Sequence, residues 1–183
     1  PVRFVGDDLW LRRRGTVAPD LAGSDPGIAV RLARALATKP EEIGLEAREL
    51  GRPGRLEPAY ADAGERILLV PLRDLAALES CTPRADLLAG VGLGAYCFTA
   101  AGAGRLRARG FFPAAGIAED PATGAAAAAL GLFLADRLGA IEARIDQGVE
   151  LRRPSRISLR ARPGEVEVGG RCGPVLTGEL ASG

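Results

Sequence analysis

Residues 121–139 read Pro-Ala-Thr-Gly-Ala-Ala-Ala-Ala-Ala-Leu-Gly-Leu-Phe-Leu-Ala-Asp-Arg-Leu-Gly. From Ala125 to Ala135 no helical face carries a charge; charge returns only at Asp136 and Arg137. A helix that is apolar all round is buried all round. The stretch therefore predicts a central buried helix over 121–138, ended by Gly139 as C-cap. Its small alanines let surrounding strands approach closely, and in a chain with many strand signals a sheet wraps it.

Those strand signals lie on both sides. Upstream, Val2–Val5 and Leu9–Leu11 flank a Gly6-Asp7-Asp8 turn, Ile67–Val70 ends at Pro71, and Gly94–Ala100 and Arg105–Phe112 follow. Downstream, strands are expected over 143–146, 156–162, 165–168 and 171–176, with Pro163-Gly164 as a hairpin turn. Asp25-Pro26 opens a helix carrying Ile28, Leu32, Ala35 and Leu36 at helical spacing, which must stop before Pro40. Short surface helices are expected near 74–79 and 83–88. There is no regular βαβ alternation, and the last third looks antiparallel. The expected fold is α+β, with a mostly antiparallel sheet curled around the central helix.

The start of that helix has its own chemistry. A helix N-terminus leaves backbone N–H groups without intrahelical partners and presents partial positive charge. Asp120 stands beside them as a cap, Thr123 adds a hydroxyl, and Gly124 leaves the donors unobstructed. A carboxylate next to a row of donors suits holding a substrate carboxylate and moving a proton. The plainer reading stands beside it: Asp-Pro is a common helix opening, and glycine serves tight packing.

Composition narrows the function. The chain has 183 residues, 47% of them hydrophobic, enough for one well-filled core. Its 24 basic and 23 acidic residues are interleaved and give a net charge of +1, so no nucleic-acid partner is expected. Arg12-Arg13-Arg14 reads as a solvated strand end. The longest apolar stretch, 121–135, spans about 20 Å as a helix against a hydrocarbon core of about 30 Å, so no membrane span is expected. Cys81, Cys97 and Cys172 are odd in number and widely spaced, which fits a reducing cytoplasm rather than a disulfide framework. No CxxC or Cys/His cluster suggests a metal. Histidine is absent, so imidazole chemistry lies outside this chain. Gly90-Val91-Gly92-Leu93-Gly94 follows a helix and precedes a strand, the reverse of a dinucleotide-binding loop. Trp10 is expected to pack on the sheet or on a dimer partner, and Cys97 in the core.

Several motifs carry a resemblance. Arg109-Gly110-Phe111-Phe112-Pro113 is followed by Gly116-Ile117-Ala118-Glu119-Asp120-Pro121-Ala122-Thr123-Gly124-Ala125-Ala126. Further on come Gln147-Gly148, Arg153-Pro154-Ser155-Arg156, Val168-Gly169-Gly170-Arg171 and Gly178-Glu179-Leu180. From about Ile67 onward the chain resembles the phenazine-biosynthesis (PhzF-like) isomerase family. The resemblance implies a diaminopimelate-epimerase-like fold: two lobes, each a sheet curled into a barrel around a central helix, with the active site in the cleft between them. It implies residues 1–60 as the end of a first lobe or a linking segment and 61–183 as the C-terminal lobe.

The resemblance also implies a cofactor-free isomerase or epimerase that moves a proton on a small carboxylate-bearing metabolite. Asp120 falls on the family's functional aspartate. Glu119, Thr123, Gly124 and Ala125 fall on its substrate-binding stretch, and no metal is implied. Ala125 replaces the family's serine. The family's first-lobe glutamate and its Gly-His-Pro motif have no counterpart here. The implied partners are a small-molecule substrate and either a second copy, as a homodimer, or a missing N-terminal lobe. The alternative is a catalytically incomplete lobe acting as a binding or scaffold protein.

Overall fold

The computed structural model describes residues 2–90, 94–173 and 178. The chain opens with strands β1 (Val2–Val5), β2 (Asp8–Arg14) and β3 (Thr16–Val17), then helices α1 (Leu21–Ser24) and α2 (Ile28–Leu36). A two-stranded ribbon, β4 (Leu45–Glu46) and β5 (Arg55–Leu56), leads to β6 (Ala59–Asp62) and β7 (Arg66–Pro71). Helices α3 (Leu75–Ser80) and α4 (Ala85–Ala89) precede β8 (Ala95–Ala100), β9 (Arg105–Phe112) and β10 (Ile117–Asp120). The long helix α5 (Gly124–Leu138) is followed by β11 (Ile141–Gln147), β12 (Ser155–Arg162) and β13 (Glu165–Arg171).

One large sheet runs β1-β2-β13-β12-β11-β9-β8-β7-β6-β3, with β10 added beside β9. The expected α+β class holds, but two parts of the finer expectation need correction. The sheet is mixed, because β7 pairs parallel with β8 and β9 parallel with β11. It is also not closed into a barrel, since β1 and β3 stand at the two ends of an open ladder. The cause of the mixing is connectivity. Parallel neighbours need a crossover: α3 and α4 carry the chain from β7 to β8, and β10 with α5 carries it from β9 to β11. Period-two alternation in a sequence marks a strand's two faces and is silent about its direction.

The sheet curls around α5, which packs on β12, β13, β11, β6, β7 and β3. Ala126 through Ala135 are all buried, as an apolar-all-round helix demands. Gly131 shows how close the sheet comes. A Cβ there would lie 2.5 Å from Leu159 Cδ1 and 2.6 Å from Val166 Cγ2. The strand expected at 156–162 is present as β12, and it alternates: Ile157, Leu159 and Ala161 point inward, while Arg156, Arg160 and Arg162 point outward. A second apolar cluster fills the opposite face of β7 to β9. Leu32, Leu36, Leu78, Leu88, Cys81, Cys97 and Phe111 form it under α2, α3 and α4, so α3 and α4 each bury a side against the sheet.

The helix boundaries differ at one end. α5 starts at Gly124 rather than Pro121, with Thr123 as N-cap, and Pro121–Thr123 form a turn outside it. Its other end agrees: Gly139 has φ 81° and donates its N–H to Ala135 O at 3.0 Å. Trp10 packs on the sheet, buried, with the Arg160 guanidinium 4.4 Å from its ring. Residues Val91–Leu93 and the second half of the strand expected at 171–176 lie outside the described residues. Among the described residues no helix is long and apolar enough to cross a membrane.

Candidate functional site

The motif turn between β10 and α5 is held from one side by Gln147, the last residue of β11. Gln147 is fully buried. Its Oε1 accepts the Tyr96 hydroxyl at 2.8 Å and the Thr123 N–H at 3.1 Å. Its Nε2 donates to Asp120 O at 2.7 Å and to Thr123 Oγ1 at 2.9 Å. One amide thus uses two acceptor sites and two donors, its whole capacity. Thr123 passes its own hydroxyl proton to Asp120 Oδ2 at 2.8 Å, while Asp120 Oδ1 accepts the Ala122 N–H at 3.4 Å. Ser155 Oγ donates to Pro121 O at 2.7 Å. Burial, and then the Asp120 charge, pushes the Tyr96 phenol well up, so it stays a donor. Gly148 makes the approach possible: its φ is +74°, and a Cβ there would lie 2.7 Å from Pro121 O.

Glu119 faces elsewhere. Arg109 donates to it twice, Nε to Oε1 at 2.9 Å and Nη2 to Oε2 at 2.8 Å. Both side chains are about nine-tenths buried. The remaining Arg109 nitrogen, Nη1, donates to Leu78 O at 3.1 Å, Glu79 O at 3.3 Å and Cys81 O at 2.9 Å. These carbonyls lie at the end of α3, and of the three the Leu78 carbonyl also accepts the Cys81 N–H at 3.3 Å. The structure therefore gathers Asp120, Thr123 and Gly124 at the helix start and seats Glu119 in a buried ion pair behind it.

The other side of the helix start is open. Gly124 and Ala125 are exposed, although the helix body is buried. Ala127 N–H already reaches Thr123 O at 3.0 Å, but the amides of Gly124, Ala125 and Ala126 have no acceptor among the described residues. A cavity of about 450 Å³ lies against Gly124 and Ala125. Leu11, Arg13 and Arg14 of β2 form one wall, and Ala63, Gly64 and Glu65 of the β6–β7 turn form another. Arg14 pairs with Glu165 at 3.5 Å, whereas Arg13 and Glu65 have no ion-pair partner among the described residues. Free helix donors next to an unpaired guanidinium favour an anion.

Sequence reasoning missed Arg13, Arg14, Glu65, Tyr96 and the structural role of Gln147. Arg12–Arg14 look like any solvated strand end, because nothing local says that β2 runs past the start of α5. Gln147 carried one signal, its place in the motif series. Tyr96 carried none. Of the cysteines, Cys97 is fully buried as expected, and burial above all pushes its thiol well up. Among the described residues no group of three or more His, Cys, Asp or Glu is placed to hold a metal ion.

Residues 31–178 match the family model of the phenazine biosynthesis-like proteins, PhzC-PhzF. An uncharacterised isomerase of Pasteurella multocida is 37% identical over 126 residues, covering 67% of this chain and 44% of that protein. The trans-2,3-dihydro-3-hydroxyanthranilate isomerase of Pseudomonas chlororaphis is 43% identical over 103 residues, covering 54% of this chain and 36% of that protein. The chain thus spans less than half the length of these relatives. Among solved structures, a PhzF-family phenazine biosynthesis protein of Bacillus anthracis superposes with a TM-score of 0.69 at 18% identity, covering 92% of this chain and 60% of that one. A predicted epimerase of Pseudomonas aeruginosa gives 0.67 at 24% identity, covering 100% and 62%. At such identities the likeness is one of fold.

Proposed function

The chain belongs to the phenazine biosynthesis-like protein family, and on that premise we propose that it is an isomerase-type protein whose α5 start binds a small carboxylate-bearing metabolite and moves a proton on it without a cofactor. The observation that carries this reading is the open side of the helix start. The amides of Gly124, Ala125 and Ala126 have no acceptor among the described residues, and Gly124 and Ala125 line a cavity with Arg13 on its wall. In this reading the substrate carboxylate takes those amides, and Asp120 orients or protonates the substrate. Ala125 costs the site a side-chain hydroxyl but not a backbone donor. The second half of the cleft comes from another copy of the chain or from an N-terminal lobe.

The test is hydrogen–deuterium exchange on carbon, followed by proton NMR, with candidate cyclic amino- and hydroxycarboxylates in heavy water. The protein is expected to exchange a carbon-bound proton, and Asp120→Ala to lose at least 100-fold in rate, the lower range for a positioned acid or base. Exchange at an undiminished rate in Asp120→Ala overturns the role given to Asp120. A chain that binds carboxylates but exchanges none is a binding lobe instead.

A further inference from the structure

The outer face of the sheet, turned away from α5, carries a cavity of about 770 Å³ that has no place in the proposed reaction. The alternation of three neighbouring strands builds it. Arg105 and Arg107 of β9, Arg144 and Asp146 of β11, and Arg156 and Ser158 of β12 point to this side and line it. Register sets them side by side. Arg144 lies directly between Arg105 and Ser158, and Asp146 directly between Arg107 and Arg156. At the far end of the cavity, Arg171 of β13 pairs with Asp7 at 3.1 Å and stands across the ladder from Asp8, so that end is balanced in charge.

Arginines on an open sheet face are ordinarily solvated and matched by carboxylates. Here the match fails in one place. Arg105 reaches Asp146 at 2.7 Å and Arg156 reaches it at 3.8 Å, so two guanidiniums share one carboxylate. Arg144 stands beside them with no ion-pair partner among the described residues. The other outward carboxylate of β11, Glu142, is taken by Arg160 at 2.9 Å. Arg107 has a side chain 15% exposed and pairs with Glu150, yet its Nε is buried with no acceptor among the described residues. Like charges directly opposite each other in a sheet are destabilising, and Arg105 and Arg144 are such a pair. Three guanidiniums around one carboxylate leave two positive charges without a counter-charge.

We propose that this cavity binds a small organic phosphate, with the phosphate held by Arg105, Arg144 and Arg156. A phosphate monoester carries a charge of about −1.5 to −2 at neutral pH and three strong acceptor oxygens. That meets both the missing charge and the number of guanidiniums. A guanidinium's planar fork matches phosphate oxygens two at a time. The rest of the cavity calls for an organic body on the phosphate. Its volume lies within the range of about 300–1,000 Å³ common to small-molecule sites, and Leu75, Ala101, Val149 and Pro154 form part of its lining. Leu75 and Val149 are large apolar side chains left 37% and 38% exposed, ready to be covered by a ring or a chain. The site is distinct from the start of α5, because it lies on the opposite face of the sheet. It meets the motif turn through Ser155, which lines the cavity while its hydroxyl holds Pro121 O at 2.7 Å.

The experiment is calorimetric titration of the full chain with phenyl phosphate at low ionic strength, and in parallel with inorganic phosphate. Saturable binding of phenyl phosphate is expected, tighter than that of inorganic phosphate. Arg144→Gln is expected to weaken it by about tenfold or more, the scale of one hydrogen bond to a charged group. Its melting temperature is expected to stay level or rise, because a like-charge neighbour is gone. Arg13→Gln is expected to leave phenyl phosphate binding unchanged, which keeps this site's failure distinguishable from failure at the start of α5. Amide NMR spectra of the unaltered chain locate the ligand without any variant, with saturable shifts expected at Arg105, Arg144 and Arg156. Absence of saturation at millimolar phenyl phosphate overturns the proposal, as does full affinity in Arg144→Gln or a set of shifts confined to the start of α5. Equal affinity for inorganic phosphate overturns the organic ligand.

Discussion

The start of α5 has two sides that differ in one respect: whether its polar groups already have partners. On the β11 side, Asp120, Thr123, Tyr96, Gln147 and Ser155 form a network in which Gln147 is saturated. On the β2 side, Gly124 and Ala125, with unpartnered amides, face a cavity with Arg13 and Glu65, which have no ion-pair partner among the described residues. The closed side fixes the turn in one geometry, and that geometry holds the donors of the open side in position before any ligand arrives. Preorganised donors of this kind need no rearrangement when charge develops nearby. The division of labour predicts that, apart from Asp120, changes on the closed side cost stability, while changes on the open side weaken binding without destabilising the fold.

The largest expected effect is that of Gln147→Leu. It leaves the buried Tyr96 hydroxyl and the Thr123 amide without acceptors, and each such loss costs about 1–3 kcal/mol. Urea unfolding is expected to show a loss of about 3 kcal/mol with an unchanged m-value; a loss under 1 kcal/mol denies the network its role. Tyr96→Phe removes a donor and leaves Gln147 Oε1 bonded to Thr123, so about 1 kcal/mol is expected from the same measurement. The smallest effect falls on the open side, where a Cβ at Gly124 meets nothing within 4 Å and the backbone is not left-handed. Gly124→Ala is expected to raise stability by about 0.5 kcal/mol through the unfolded chain, and to weaken carboxylate binding by crowding the donors. A destabilised Gly124→Ala breaks the comparison.

The same contrast shows what the sequence carried. Its clearest signal was α5, because a run from Ala125 to Ala135 without a charge can only be buried. Gly139 marked its end, and the alternation from Arg156 to Arg162 marked β12. The start of α5 was less legible. Asp120-Pro121 has the composition of a helix opening, yet Thr123 and Gln147 draw those residues into a turn and delay the helix to Gly124. Strand direction was not legible either. That β7 and β8 run parallel depends on α3 and α4 crossing over a face, which no local pattern records. The open side depends on β2 and the β6–β7 turn arriving beside Gly124 from more than fifty residues away, so Arg13 and Glu65 carried no signal of their own.

The central claim is that the amides at the start of α5 are free, preorganised donors for a carboxylate. Titration of the isotopically labelled protein with benzoate, followed residue by residue in amide NMR spectra, tests it most directly. The account predicts saturable shifts at Gly124, Ala125 and Ala126, weaker ones at Arg13 and Gly64, and an unmoved Thr123 amide, because Gln147 already holds it. Saturating shifts confined to other parts of the chain, or a Thr123 amide that moves as far as Gly124, would contradict it.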